Sequence, residues 1–205
     1  MTVYVMSADD VCDEHYELCK SRFPKRYEKA LSFHNENDTK LSIAVAYLLY
    51  TVVKLEEKDI LIAENGKPYT SKYPVCFNAS HSGCYAVLAV SQSEVGVDIE
   101  KAQKKNLVCA RRVFTPQEKE WSDNDVTKFS VLWTLKESVM KALGKGFALP
   151  PGEFDVTPFL HGESIFVGDT ELWAYTSIYD GYAVSVCTCE KPDNNFDGID
   201  LVRVG

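Results

Sequence analysis

A chain of 205 residues, 45% hydrophobic and 25% charged, is long enough to bury a substantial core and has the composition of a soluble globular protein of one or two domains. Its net charge of −8 argues against a general nucleic-acid binder, which needs a basic field. No apolar run reaches the roughly 18 residues that cross a bilayer, and the N-terminus lacks the basic and apolar regions of a secretory signal, so no membrane is expected and cytoplasm is the expected location. The seven cysteines are odd in number and scattered, which reads as reduced thiols. Cys187 and Cys189 would share a strand face, but no second Cys or His cluster lies nearby to complete a zinc site.

In chain order, residues 2–6 alternate as a strand, and Asp9-Asp10 is placed to cap a helix running to about Lys20. A basic helix with Arg26 and Lys29 follows Pro24, and Asp38 is placed to cap a long apolar helix ending near Lys54. Strands are expected at 60–63, 75–78, 85–91 and 95–100, with a polar crossover at 101–106. A short helical region at 107–121 leads to a long helix at 125–143, stopped by Gly144-Lys145-Gly146. Strands at 164–167, 171–176, 182–189 and 201–204 complete the chain, with a turn-rich loop at 193–197.

Two stretches repeat. Thr39-Lys40-Leu41-Ser42-Ile43 recurs as Thr127-Lys128-Phe129-Ser130-Val131, and Tyr85-Ala86-Val87 recurs as Tyr182-Ala183-Val184. The repeat predicts an α+β fold of two similar subdomains related by a pseudo-twofold axis, each an antiparallel sheet on a long helix, divided as 1–102 and 103–205. Such an internal pairing of halves makes a monomer the expectation. Further along the helices, Leu48, Leu49 and Val53 in the first copy stand opposite Lys136, Glu137 and Lys141 in the second. Chemistry is therefore expected on the second helix.

Val95-Gly96-Val97-Asp98-Ile99-Glu100 alternates, so Asp98 and Glu100 share a strand face about 6.5–7 Å apart, and Gly96 on that face is read as leaving room for a ligand. Such a pair supplies hard oxygen ligands for a divalent ion, although a D-x-E strand end taken alone is most often merely solvated. Trp133, Glu137 and Lys141 form an i, i+4 stripe, which taken alone is a half-buried Trp beside an exposed ion pair. Phe77-Asn78-Ala79-Ser80-His81-Ser82-Gly83 reads as a strand entering a tight polar turn suited to holding a phosphate, and Asn65-Gly66-Lys67-Pro68 as a second turn. Neither a Walker A nor a G-x-G-x-x-G motif is present, and no G-x-S-x-G elbow. Two basic clusters, Arg22 to Lys29 and the five cations between Lys101 and Arg112, suggest an anionic ligand or partner.

In this order, Gly66-Lys67-Pro68, Phe77-Asn78-x-Ser80-His81-Ser82, Gly96-Val97-Asp98-Ile99-Glu100, Phe114-Thr115-x-x-Glu118 and Trp133-x-x-Lys136-Glu137-x-x-x-Lys141 closely resemble the 4′-phosphopantetheinyl transferases of the surfactin-synthetase-activating type. The resemblance covers about residues 60–150. It implies transfer of phosphopantetheine from coenzyme A to a serine of an apo acyl or peptidyl carrier protein, releasing adenosine 3′,5′-bisphosphate. It further implies Mg2+ held by Asp98, Glu100 and Glu137, with Glu137 as the base and Lys141 on the pyrophosphate. Arg26, Lys29, Lys67, Pro68, Ser80 and His81 match positions that hold the nucleotide and its phosphates. Where the family usually carries an arginine and then a glycine on the long N-terminal helix, this chain has Lys40, Leu41, Ala44 and Val45. Lys40 is then the counterpart of the arginine without its bidentate fork. Carrier proteins are typically acidic, and the run from Lys101 to Phe114 is the expected docking segment. Two other readings fit the same charges: another Mg2+-dependent phosphoryl transferase, and a non-catalytic coenzyme A or carrier-protein binder.

Overall fold

The computed structural model describes residues 2–103, 110–191 and 199–205. It opens with β1 (Thr2–Ser7), followed by a 3₁₀ turn at Ala8–Asp10 and then by α1 (Asp13–Arg22), α2 (Pro24–Leu31) and α3 (Glu36–Val53). The expected Asp9-Asp10 cap is replaced by that 3₁₀ turn, capped by the Ser7 side chain, and Cys12 is the residue that precedes α1. Asn35, three residues earlier than Asp38, caps α3 by accepting from the Asn37 amide. The short pair β2 (Leu61–Ile62) and β3 (Pro68–Tyr69) precedes the longer strands β4 (Cys76–Ser82), β5 (Tyr85–Ser91) and β6 (Val95–Lys101). Then come α4 (Ala110–Val113), α5 (Pro116–Ser122), α6 (Val126–Ala142), β7 (Ile165–Val167), β8 (Thr170–Tyr179), β9 (Tyr182–Thr188) and β10 (Leu201–Arg203). The expected loop at 193–197 lies outside the described residues, apart from its flanks.

The class is α+β, as expected. One sheet runs β10-β1-β5-β4 and the other β6-β9-β8-β7, with antiparallel neighbours except for the parallel pair β1/β10. Each sheet repeats one connectivity: a strand, a long helix, then a hairpin whose second strand pairs with the first (β1-α3-β4-β5 and β6-α6-β8-β9). The pairing does not follow a division at residue 102. β6 hydrogen-bonds along its whole length with β9, and β10 returns to β1. Alternation within a strand says which face is apolar but not which strand lies alongside.

Three apolar clusters result. Leu41, Ile43, Leu48 and Leu49 of α3 pack with Met6, Ala86 and Leu88 on the outer face of the first sheet. Leu132, Leu135, Val139 and Met140 of α6 pack with Leu172, Ala183 and Cys187 on the second. Val3, Val5, Val87, Val97, Ile99, Val184 and Val186 join the two sheets. Asp125 caps α6 through the Lys128 amide. At its far end the amides of Gly144 and Lys145 return to the carbonyls of Lys141 and Met140, with Gly144 at φ +63°. This is the hydrogen-bonded stop that the Gly144 signal anticipates.

At Gly96 the backbone of α6 lies directly against β6. A Cβ there would lie 2.1 Å from the Ser138 carbonyl oxygen and 2.4 Å from the Ala142 amide. The expectation that Gly96 leaves room for a ligand is therefore corrected: its missing side chain is filled by the backbone of α6.

Lys136 is also structural. Its side chain is wholly buried, with Nζ 2.8 Å from Glu118 Oε1 and donating to the carbonyls of Pro151 and Phe154 at 2.6 Å each. Glu118 accepts the amides of Thr115 and Val156 as well, and so closes the capping box of α5 and ties it to the segment after α6. The Phe114-Thr115-x-x-Glu118 and Lys136 motifs thus build one internal brace, in which Phe114 packs on Phe129 with ring centroids 5.0 Å apart. Removing one member of a buried, hydrogen-bonded pair strands the other charge. Lys136→Met is expected to cost about 3–5 kcal/mol of unfolding free energy, read from the denaturant midpoint. A loss below about 1 kcal/mol would show that the pair is not a brace.

Candidate active site

The side chains expected to form the site gather where β4 and β6, the edges of the two sheets, run beside each other. The segment expected to be a turn after Asn78 is strand as far as Ser82, in register with β5, and the hairpin turns at Gly83-Cys84. Ser80 and His81 therefore sit in a paired strand and not in a phosphate-holding loop. Alternation along that strand divides the motif between two sites.

Asn78, Ser80 and Ser82 face β6. Asn78 accepts the Val97 amide at 2.9 Å, Ser80 donates to Asp98 Oδ1 at 2.7 Å, and Ser82 donates to Glu100 Oε2. Side chains, in place of a backbone ladder, thus stitch the two edges. From the opposite side α6 brings Lys141, whose Nζ is 2.6 Å from Asp98 Oδ1 and donates to Ser80 Oγ at 3.0 Å and the Val97 carbonyl at 3.2 Å. Glu137 lies one turn earlier on α6. Burial first, and then repulsion from Asp98 and Glu100, push its pKa up to about 7, with Lys141 opposing.

The other face of β4 lines a cleft of about 570 Å³. Phe77, Ala79 and His81 form its floor; Lys25, Arg26 and Lys29 of α2 supply cations; Phe23, Phe33, Ile60, Ile62 and Pro68 supply apolar walls. The cations are placed by Glu57, whose carboxylate accepts the amides of Lys25 and Arg26 at the start of α2. No carboxylate lies within ion-pair distance of the Arg26 guanidinium among the described residues, and burial lowers its pKa. His81 touches solvent, yet the surrounding cleft removes enough hydration to lower its pKa. Asp38 opposes that shift, while Lys141 and Arg26 reinforce it.

The structure therefore brings together Asp98, Glu100, Glu137, Lys141 and Ser80 on one side of β4, and Arg26, Lys29, Pro68 and His81 on the other. Two expected members stand apart. Lys40 does not line the cleft and pairs with Glu36 at 3.1 Å, because Ser42, Val45 and Leu49 are the residues that α3 turns toward it. Lys67 contacts Glu94 and the Ala142 carbonyl. Phe33, Ile60 and Ile62 also line the cleft, and the sequence carries no signal for them beyond an apolar side chain.

Of the expected docking segment, residues 104–109 lie outside the described residues, as does the side chain of Arg111. Lys101 stands 5.6 Å over the Tyr182 ring and Arg112 is exposed, but Phe114 is 3% exposed. Phe114 belongs to the core, which corrects its place in a docking surface.

Among the described residues no group of three or more His, Cys, Asp and Glu side chains is arranged as a ready-made metal site. The donor set nevertheless fits a hard divalent cation in kind. The contacts above engage Oδ1 of Asp98 and Oε2 of Glu100, and these two carboxylates stand close enough to Glu137 to add to the rise that burial gives its pKa. Among the described residues no helix is long and apolar enough to cross a membrane.

A family model of the 4′-phosphopantetheinyl transferase superfamily matches residues 94–187. The 4′-phosphopantetheinyl transferase Sfp of Bacillus subtilis (strain 168) is 32% identical over 186 residues, 83% of each chain. A second Bacillus subtilis 4′-phosphopantetheinyl transferase is 32% identical over 193 residues, 86% of this chain and 85% of that one. The L-aminoadipate-semialdehyde dehydrogenase-phosphopantetheinyl transferase of Xenopus laevis is 34% identical over 165 residues, 66% of this chain and 54% of its own. Likeness at this level across most of the chain, with a family match that begins at the threshold of β6 and runs through α6 to β9, means that the chain belongs to the 4′-phosphopantetheinyl transferase superfamily.

Proposed function

We propose that this enzyme transfers 4′-phosphopantetheine from coenzyme A to a serine hydroxyl of an acidic apo carrier protein, with Mg2+, and releases adenosine 3′,5′-bisphosphate. The observation that carries the reading is the division of labour along β4. One face presents His81 to a cleft with cations and apolar walls, and the other holds Ser80 against Asp98 and Lys141. A nucleotide with a 3′-phosphate suits that cleft: the flat base against Phe33, Ile62 and Pro68, the phosphate toward Arg26, Lys29 and His81. Its pyrophosphate would then cross β4 toward the carboxylates.

There, Asp98, Glu100 and Glu137 would hold the cation. Mg2+ when bound supplies charge neutralisation on the pyrophosphate. Lys141 orients the same group by hydrogen bonding and charge. Glu137 accepts the serine proton as the Oγ–P bond forms and the P–O bond to adenosine 3′,5′-bisphosphate breaks.

Intact-mass spectrometry of apo carriers incubated with the enzyme, coenzyme A and Mg2+ is expected to show a gain of one phosphopantetheine. The gain should vanish with chelator and fall at least about 100-fold in rate for Glu137→Gln. Coenzyme A binding without mass gain on any carrier would favour the binder; turnover that survives Glu137→Gln would remove the assigned base. The raised carboxyl also fixes the sign of a pH effect. Its folded-state pKa of about 7 exceeds the ordinary 4.5, so its contribution to stability is complete below pH 4.5 and is lost as pH rises through 7. In metal-free protein that loss is on the order of 3 kcal/mol, and Glu137→Gln should flatten the melting temperature between pH 5 and 8 relative to the parent. Parallel profiles would contradict the assignment.

A further inference from the structure

The Asn65-Gly66-Lys67-Pro68 turn forms a wall of the nucleotide cleft with Pro68, yet the Lys67 side chain runs away from that cleft. Its side chain is only 13% exposed, with the ammonium paired with Glu94 and donating to the Ala142 carbonyl at 2.7 Å. Ala142 is the last residue of α6 and follows Lys141 directly. The carbonyls at a helix C-terminus carry partial negative charge, so this carbonyl and Glu94 together make an anionic socket that the ammonium fills. The same turn meets α6 a second time. Asn65 accepts the Lys67 amide at 3.1 Å, and its side-chain amide packs so closely over Gly144 that a Cβ there would lie 2.3 Å away.

We propose that Lys67 is a positioning residue, a strut that fixes the C-terminal turn of α6, and with it Lys141 and Glu137, to the wall of the nucleotide cleft, and not a cation that binds the nucleotide phosphates. Two features favour the strut. Its charge is already satisfied by partners on β6's leading edge and on α6, and the cleft keeps Arg26, Lys29 and His81 for phosphate. In its effect on turnover the inference rests on the function proposed above; in its effect on α6 it does not.

The experiment compares Lys67→Met, Lys67→Arg, Glu94→Ala and the Lys67→Met/Glu94→Ala double variant by three readouts. These are amide hydrogen exchange at Leu143, Gly144 and Lys145, the dissociation constant for coenzyme A by calorimetry, and kcat on an apo carrier. The strut predicts exchange at those amides accelerated at least about tenfold in Lys67→Met, with a smaller change in Glu94→Ala and a double variant no worse than Lys67→Met. It predicts kcat lowered about tenfold or more, coenzyme A affinity changed less than about twofold, and recovery of both kcat and protection in Lys67→Arg. Unchanged exchange with coenzyme A binding weakened about tenfold or more would make Lys67 a phosphate ligand and overturn the proposal. Should the parent protein transfer nothing to any carrier, the proposed function fails while the exchange data still decide the strut: protection lost on Lys67→Met upholds it, and protection kept overturns it.

Discussion

The closeness of α6 to β6 at Gly96 is the constraint on which the site depends. Asp98 and Glu100 belong to the strand, Glu137 and Lys141 to the helix, and each pair alone is an ordinary solvated feature. They meet because the helix backbone at Ser138 and Ala142 occupies the space that any side chain at Gly96 would take. The helix then descends far enough for Lys141 to reach Asp98 and for Glu137 to be repelled by both strand carboxylates. The long helix of the first half has no such duty. It covers its sheet with Leu48 and Leu49, the repeat counterparts of Lys136 and Glu137, and fills a core.

The second constraint is the pleat of β4. Because successive residues point to opposite faces, one seven-residue strand can hold the carboxylate site with Ser80 and Ser82 and line the cleft with Phe77 and His81. A substrate with a nucleotide at one end and a reacting pyrophosphate beside it would straddle that strand. The buried brace of Glu118 and Lys136 supports the arrangement from behind, since it anchors α6 to α5 and to the segment after the helix.

Much of this was legible in the sequence wherever the signal is local. Asp125 before an apolar periodic run and Gly144 after it mark both ends of α6, and the alternation around Asp98 marks β6. The i+4 spacing places Glu137 and Lys141 on one stripe. What local pattern does not carry is the partner of a strand or the direction of a side chain in the folded protein. The tie of β6 to β9, the continuation of β4 through His81, the burial of Phe114 and the turning of Lys136 into the core all depend on contacts distant in the chain. Lys67 and Lys40 show the same limit for charge. Residue type announces a cation, but Glu94, the Ala142 carbonyl and Glu36 decide where it is used. Gly96 was legible as a glycine with a purpose, and only the helix above it tells which one.

The most direct test of this account is the turnover of Gly96→Ala, measured beside its fold by circular dichroism and its affinity for coenzyme A. The added methyl must lift α6 from β6, and a displacement of about 1 Å between catalytic groups costs on the order of 100-fold in rate. The account predicts a folded, less stable protein that still binds coenzyme A in the cleft and transfers at about one-hundredth of the parental rate or less. Parental turnover in a variant that carries this methyl would contradict it, because the two halves of the site would then not depend on the contact at Gly96.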